Sequence, residues 1–324
     1  MKLALEIDTW KLREPFVTAR DRVTEITTLT AVVSYGAHRG RGEALGVSYR
    51  GETVDTMSAA LRAVQREVES GIDNEELQRL LGPGGARNAL DCALWDLRAK
   101  REGVRVWDLL QVPANAVTTV YTLSLGTAAH MAAEARERSG CPVLKVKLDA
   151  RDTAEKIRAI RRARPDAEIV IDANGSWNLA LLDELEPELV ENRIAMLEQP
   201  LPAGSDGALA GRDYAITLCA DESCQSSAQL EYCAERYRMI NIKLDKCGGL
   251  TEAMRMVAEC RTRGLELMVG NMLGTSLAMA PAMLPAQFCR FVDLDGPLFQ
   301  VTDRDPPLTY RGTSIDPPDP ALWG

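Results

Sequence analysis

Charged residues close one apolar run after another from residue 144 onward. LKVKLD carries Lys145 and Lys147, VIDAN carries Asp172, MLEQP carries Glu198, CADES carries Asp221, NIKLDK carries Lys243, and VDLDGP carries Asp293 and Asp295. An apolar β-run belongs in a core, where an unpaired charge is strongly unfavourable, so charges closing strand after strand need a shared purpose. A bound metal ion supplies one. Asp172, Glu198 and Asp221 end three successive runs and offer only oxygen, the donor set of a hard divalent ion, above all Mg²⁺, which keeps positions open for a substrate oxygen. One such carboxylate alone reads more readily as a helix N-cap; three in a row do not.

The lysines suit proton transfer. Lys145 and Lys147 are two apart in a strand and share a face, so each ammonium is expected to lower the other's pKa toward a range where a neutral amine acts as a base. In a ring of eight strands, Lys243 on strand six stands opposite Lys147 on strand two, with the three carboxylates between them. A substrate carboxylate on the ion would present one face of its α-carbon to each lysine. That is a two-base device for removing and returning an α-proton, with the ion stabilising the enediolate. Lys246 competes with Lys243, but three positions on it falls on the opposite parity or in a loop.

These residues need elements to hold them. From about residue 117 short apolar runs (TTVYTLSL, PVLKVKL, AEIVIDA, RIAMLEQ, AITLCAD, YRMINIKL, LELMVGN, CRFVDLD) alternate with amphipathic stretches. Eight strands joined by crossovers form a (β/α)8 barrel of the TIM type, whose strands all aim their C-terminal ends at one face. Residues 1–115 read differently, as antiparallel strands followed by helices near 53–70, 73–81 and 86–101, an α+β domain. The barrel is expected over 116–304, and the proline-rich tail, 305–324, is expected to return to the first domain.

Bulk properties narrow the class. The 324 residues are 46% hydrophobic with a net charge of -9, enough for a large core and the wrong sign for nucleic acid. No apolar run spans a bilayer, and the opening MKLALEIDTWKLREPF lacks a signal peptide's long apolar stretch, so a cytoplasmic location is expected. The eight cysteines form no CxxC pair and fit reduced, mostly buried thiols. The two histidines, His38 and His130, lie beside no motif, which leaves lysine and carboxylate as the acid and base groups.

KVK on strand two, the DAN, EQP and ADES segments and IKLDKCGG together resemble the muconate-lactonising-enzyme subgroup of the enolase superfamily over essentially the whole chain. That superfamily is known to pair a Lys or His base with one or two Mg²⁺ ions. The resemblance implies that the small domain caps the barrel, that Lys145 and Lys147 form the KxK pair, and that Asp172, Glu198 and Asp221 bind Mg²⁺ with Lys243 as the opposing base. It implies an isomerase, and a homo-oligomer is expected. Cycloisomerases, o-succinylbenzoate synthases, N-acylamino acid racemases and dipeptide epimerases share these residues.

The strand-eight segment separates them. Asp293 and Asp295 resemble the DxD motif with which dipeptide epimerases bind a substrate's free α-ammonium, so epimerisation of an L,L-dipeptide at its C-terminal residue leads. The other three activities stay as alternatives. In relatives acting on Ala-Glu the first cap loop supplies an arginine for the side-chain carboxylate; here it reads TARDRVTE, with Arg20 and Arg22 as candidates and Asp21 between them. Asp245 departs from the apolar residue usual in the family, and its parity is expected to turn it toward Lys243's side. Extra carboxylates there favour a dipeptide with Lys or Arg side chains over Ala-Glu; both readings stay open. Gly274 after strand seven is expected to let backbone approach the ligand.

Overall fold

Residues 1–324 are described by a computed structural model. The chain opens with an antiparallel sheet of β1 (Lys2–Val17), β2 (Arg22–Tyr35) and β3 (His38–Ala44), in that order. Five helices follow: α1 (Val54–Ala63), α2 (Gln65–Ser70), α3 (Asn74–Leu80), α4 (Gly85–Glu102) and α5 (Val106–Leu110). The single helix expected over 53–70 is two, because Val64 leaves the helical region at φ -105°, ψ 10°. α1 begins at Thr53, whose hydroxyl accepts the Thr56 N–H while the Thr56 side chain accepts the Thr53 N–H. α4 lies directly on β3 because Gly40 and Gly42 have no side chain: a Cβ at either would sit 2.2 Å from a carbonyl of α4. The domain has its own core of 14 buried apolar residues, among them Leu29, Leu61, Leu77 and Leu90.

After a two-residue strand, β4 (Val117–Thr118), come the barrel strands β5 (Tyr121–Leu123), β6 (Val143–Lys147), β7 (Glu168–Asp172), β8 (Ile194–Glu198), β9 (Thr217–Ala220), β10 (Met239–Lys243), β11 (Glu266–Gly270) and β12 (Phe291–Val292). They form one parallel sheet in sequence order. The ends of that sheet meet where Val120 N–H donates to Val292 O at 2.8 Å, which curls it into a barrel of the TIM type. The crossovers carry α6 (Ala128–Glu137), α7 (Thr153–Ala163), α8 (Leu179–Glu191), α9 (Leu230–Ala234), α10 (Leu244–Cys247), α11 (Leu250–Thr262) and α12 (Ser276–Ala286). Between β8 and β9 there is only a 3-10 turn over Asp206–Leu209, and only another 3-10 turn, Gly296–Phe299, follows β12 before the tail. Much of TTVYTLSL lies outside the barrel ladder: β4 pairs instead with β14 (Ser314–Ile315), which pairs with β13 (Tyr310–Arg311).

Period-two alternation sorts the barrel interior into layers. Val120, Val170, Met196, Cys219, Met239, Met268 and Phe291 form an apolar plug. One step toward the C-terminal ends, on the same inward parity, stand Lys145, Asp172, Glu198, Asp221, Asn241 and Asp293. The tail does reach the first domain: Trp323 Nε1–H donates to Cys92 O at 3.0 Å and Gly324 N–H to Asp96 Oδ1 at 2.8 Å. All eight cysteines are free, six of them buried. No helix is long and apolar enough to cross a membrane.

Candidate active site

Between the small domain and the C-terminal ends of the strands lies a cleft of about 440 Å³. Lys145, Lys147, Asp221, Lys243, Asp293 and Asp295 line it from the barrel, and Arg20, Asp21 and Tyr49 from the small domain. Ladder register brings the strand ends level: Lys147 pairs with Asp172 across β6 and β7, and Asp172 with Glu198 across β7 and β8.

Each predicted ligand meets a lysine. Lys147 Nζ donates to Asp172 Oδ2 at 2.6 Å and Lys243 Nζ to Asp221 Oδ2 at 2.7 Å. Lys145 Nζ lies 2.7 Å from Glu198 Oε2, 2.7 Å from Asp293 Oδ2 and 3.3 Å from Asp172 Oδ2. The expectation that the paired lysines lower one another's pKa is therefore corrected for Lys145. Burial alone would depress it, but Asp293, Glu198 and Asp172 outweigh burial and hold it well above the ordinary range. Lys243 is likewise held above that range, Asp221 and Glu198 outweighing its burial. Burial works against ionised Asp172 and Asp221 too, yet their lysines keep both well below the usual carboxylate range. Glu198 goes the other way, raised by burial and by the charge of Asp172.

The three carboxylates do not close on one point as a ready-made cage, because each is drawn to an ammonium. They are near enough that Asp172 and Asp221 both press on Glu198. Glu198 Oε2 is buried and has no hydrogen-bond partner, its contact with Lys145 lacking hydrogen-bond direction. An all-oxygen set in which the buried Glu198 Oε2 has an ion-pair contact but no directed hydrogen bond fits a hard cation.

The strand-eight pair has partners of its own. Asp293 is ion-paired with Lys145 and accepts from Asn271 Nδ2 at 3.1 Å, while Asp295 Oδ2 accepts the Thr122 N–H at 2.8 Å and helps to close the barrel. Arg290, the nearest arginine in sequence, lies instead against Glu266 and Glu168. Burial and the charge of Asp293 push Asp295 well above the ordinary carboxylate range. The two carboxylates are thus not left unpaired in the absence of an ammonium ligand.

The first loop residues divide. Arg20 enters the cleft, ion-paired with Glu222 and 5.0 Å over the Tyr49 ring, and Asp21 lines the rim. Arg22 is the first residue of β2, exposed and outside the cleft lining. Asp245 is corrected: α10 begins directly after Lys243, so strand parity no longer applies, and its Oδ1 accepts the N–H groups of Leu45 and Gly46 at 3.0 and 2.8 Å, outside the cleft. Gly274 is also outside the lining; a Cβ there would lie 2.5 Å from the Ala278 Cβ, so packing against α12 accounts for it.

Several contributors escaped the sequence reading. Asn241 Nδ2 donates to Glu198 Oε1 at 2.7 Å, and its parity with Met239 and Lys243 was the available signal. Gln199 Oε1 accepts the N–H groups of Asp221 and Ser223, tying the ends of β8 and β9 together. Glu222 carried no signal beyond its neighbours, whereas Lys246, weighed against Lys243 as the second base, instead holds Asp221.

The small domain matches the mandelate racemase/muconate lactonizing enzyme N-terminal domain over residues 2–111, and the barrel matches the enolase C-terminal domain-like family over residues 127–320. This chain belongs to the mandelate racemase/muconate lactonizing enzyme family of the enolase superfamily. Its relatives are epimerases and racemases, and it is an isomerase. It is 40% identical over 306 residues to the L-Ala-D/L-Glu epimerase of Escherichia coli (strain K12), covering 94% of this chain and 95% of that protein. It is 37% identical to the N-acetyl-D-glutamate racemase of a Pseudoalteromonas species, covering 91% and 95%. Among solved structures, an enolase family member from Agrobacterium tumefaciens with homology to dipeptide epimerases, holding sodium and L-Ala-L-Glu, superposes with a TM-score of 0.97 at 43% identity, covering 99% of each chain.

Proposed function

We propose that this enzyme epimerises dipeptides of the L-Ala-D/L-Glu type at the α-carbon of the C-terminal residue by two-base proton transfer. The observation that carries this is the placement of Lys147 on β6 and Lys243 on β10, half a ring apart, with Asp172, Glu198 and Asp221 on the strands between. Those three carboxylates would hold Mg²⁺, which when bound supplies the fixed positive charge that makes an α-proton beside a carboxylate removable. Lys147 takes or returns the proton on one face and Lys243 on the other. Each must first leave its carboxylate, Asp172 or Asp221 respectively, so ligand binding and release of the bases are linked. Lys145, spread over three carboxylates, fixes the cleft charge and is no base.

Arg20 supports a glutamate side chain, as the cationic group the small domain brings to the cleft, and the relatives named above act on glutamate derivatives. Of the two carboxylates that spoke for Lys or Arg side chains, Asp245 faces Leu45 and Gly46 instead, and Asp21 alone stays at the cleft. A second reading, racemisation of an N-acylated glutamate, is favoured by Asp293 and Asp295 being satisfied without a ligand's ammonium.

The test is to incubate the enzyme with Mg²⁺ in D₂O with L-Ala-L-Glu, L-Ala-L-Lys, L-Arg-L-Lys and N-acetyl-L-glutamate, following deuterium at the α-carbon by mass spectrometry. Fastest exchange at the glutamyl carbon of L-Ala-L-Glu is expected. Faster exchange in N-acetylglutamate would install the second reading, and faster exchange in the lysyl dipeptides would restore the cationic one.

A further inference from the structure

Lys246 is a buried ammonium for which proton transfer has no use. It lies in α10, the single turn after β10, and is 1% exposed. An ammonium has three donors, and all three are committed: to Asp221 Oδ1 at 2.6 Å, Asp221 O at 2.5 Å and Asn241 O at 2.9 Å. Lys243, three residues earlier, spends only one, on Asp221 Oδ2, and lines the cleft as Lys246 does not. The two oxygens of Asp221 are therefore divided between a saturated lysine and a lysine with donors to spare.

We propose that Lys246 is a positioning residue for the cation: by holding Asp221 Oδ1 and the Asp221 carbonyl it leaves Oδ2 as the one oxygen that faces the cleft. This rests on the reading of Asp221 as a cation ligand. Two more contacts brace the arrangement. Asn241, whose carbonyl holds Lys246, donates its side chain to Glu198, so one residue links Lys246 to a second carboxylate. Gln199 accepts the Asp221 N–H and fixes the same residue from the other side. Lys243 then shares with the ion the single oxygen it must release before it acts as a base.

The sign of one measurement separates positioning from charge. Removing a positive charge next to a cation ligand should by itself tighten divalent binding, whereas removing the group that orients a ligand weakens it, typically by roughly 10–100-fold. Mg²⁺ is titrated calorimetrically into the full-length wild-type protein and into Lys246→Met, without substrate, alongside thermal melts of each. The expected result is Mg²⁺ binding weaker by about 10–100-fold in Lys246→Met. Lys246→Gln, which keeps two donors without the charge, serves if the methionine variant does not fold, and weaker binding is expected there too. Unchanged or tighter binding in a folded variant, even with a lower melting temperature, would overturn the proposal and leave Lys246 a structural counter-charge. Wild-type protein that takes up no Mg²⁺ would instead overturn the cation reading beneath it.

Discussion

Lys243 and Lys246 carry the same charge three positions apart, yet only one is free to act on a ligand. The difference is a count of donors: one is committed in Lys243 and three in Lys246. On the proposed function Arg20 would meet the substrate side chain, a ligand carboxylate competing there with Glu222, its present partner at the cleft wall. Arg20→Met should raise KM for L-Ala-L-Glu by about tenfold or more with a smaller change in kcat, as loss of one charge-assisted contact is worth about 1.5–3 kcal/mol. Steady-state kinetics check this, and an equal loss against L-Ala-L-Leu would deny Arg20 that role. At this scale the sequence was informative wherever period-two alternation held, because a charge on inward parity has nowhere to go but the barrel axis. Lys145, Lys147, Asp172, Glu198, Asp221 and Lys243 were all legible that way. The pairing among them was not, since the carboxylate each ammonium chooses depends on interstrand register.

Asp245 marks where parity reasoning stops. α10 starts at Leu244, and one helical turn sends Asp245 to the small domain and Lys246 to β9. Together with Arg87, which donates to the Cys247 and Gly248 carbonyls, and Asp91, which accepts from Thr251, Asp245 clamps the small domain to the segment behind Lys243. Its carboxyl is pushed up to about 6, by burial first and against the two N–H groups that favour its charge. A folded pKa raised above the unfolded value means that the group's contribution is full below about pH 4 and is lost as the pH rises through about 6. An asparagine cannot ionise and keeps the Oδ1 acceptor that both N–H groups use. Asp245→Asn should therefore melt above wild type at pH 8, by at most about 3 kcal/mol, with the gain shrinking toward pH 4. A difference between the two melting curves that does not vary with pH would contradict this. Strands and most helices were readable from their periods, but a one-turn helix has no period to read.

At the scale of the molecule, the last residues hold the two domains together. Trp323 is fully buried in the largest core cluster, and Arg41 donates to the Ala321 and Leu322 carbonyls beside it. Trp323→Ala should lower stability by about 3–5 kcal/mol in urea titration, while kcat below the melting range stays at its wild-type value because Trp323 is outside the cleft. A loss under 1 kcal/mol would mean that the tail is not part of the core. The return of the tail was legible from prolines without a helical period; its pairing with β4 was not, since two-residue strands carry no alternation. The account as a whole turns on two opposed amines at one α-carbon, and solvent exchange reads them directly. Lys147→Ala and Lys243→Ala, each incubated in D₂O with L-Ala-L-Glu and separately with L-Ala-D-Glu, should both fail to interconvert the epimers. Each should still exchange the α-proton of one epimer, and the two variants should exchange opposite ones. Exchange lost from the same epimer in both variants, or full interconversion by either, would contradict it.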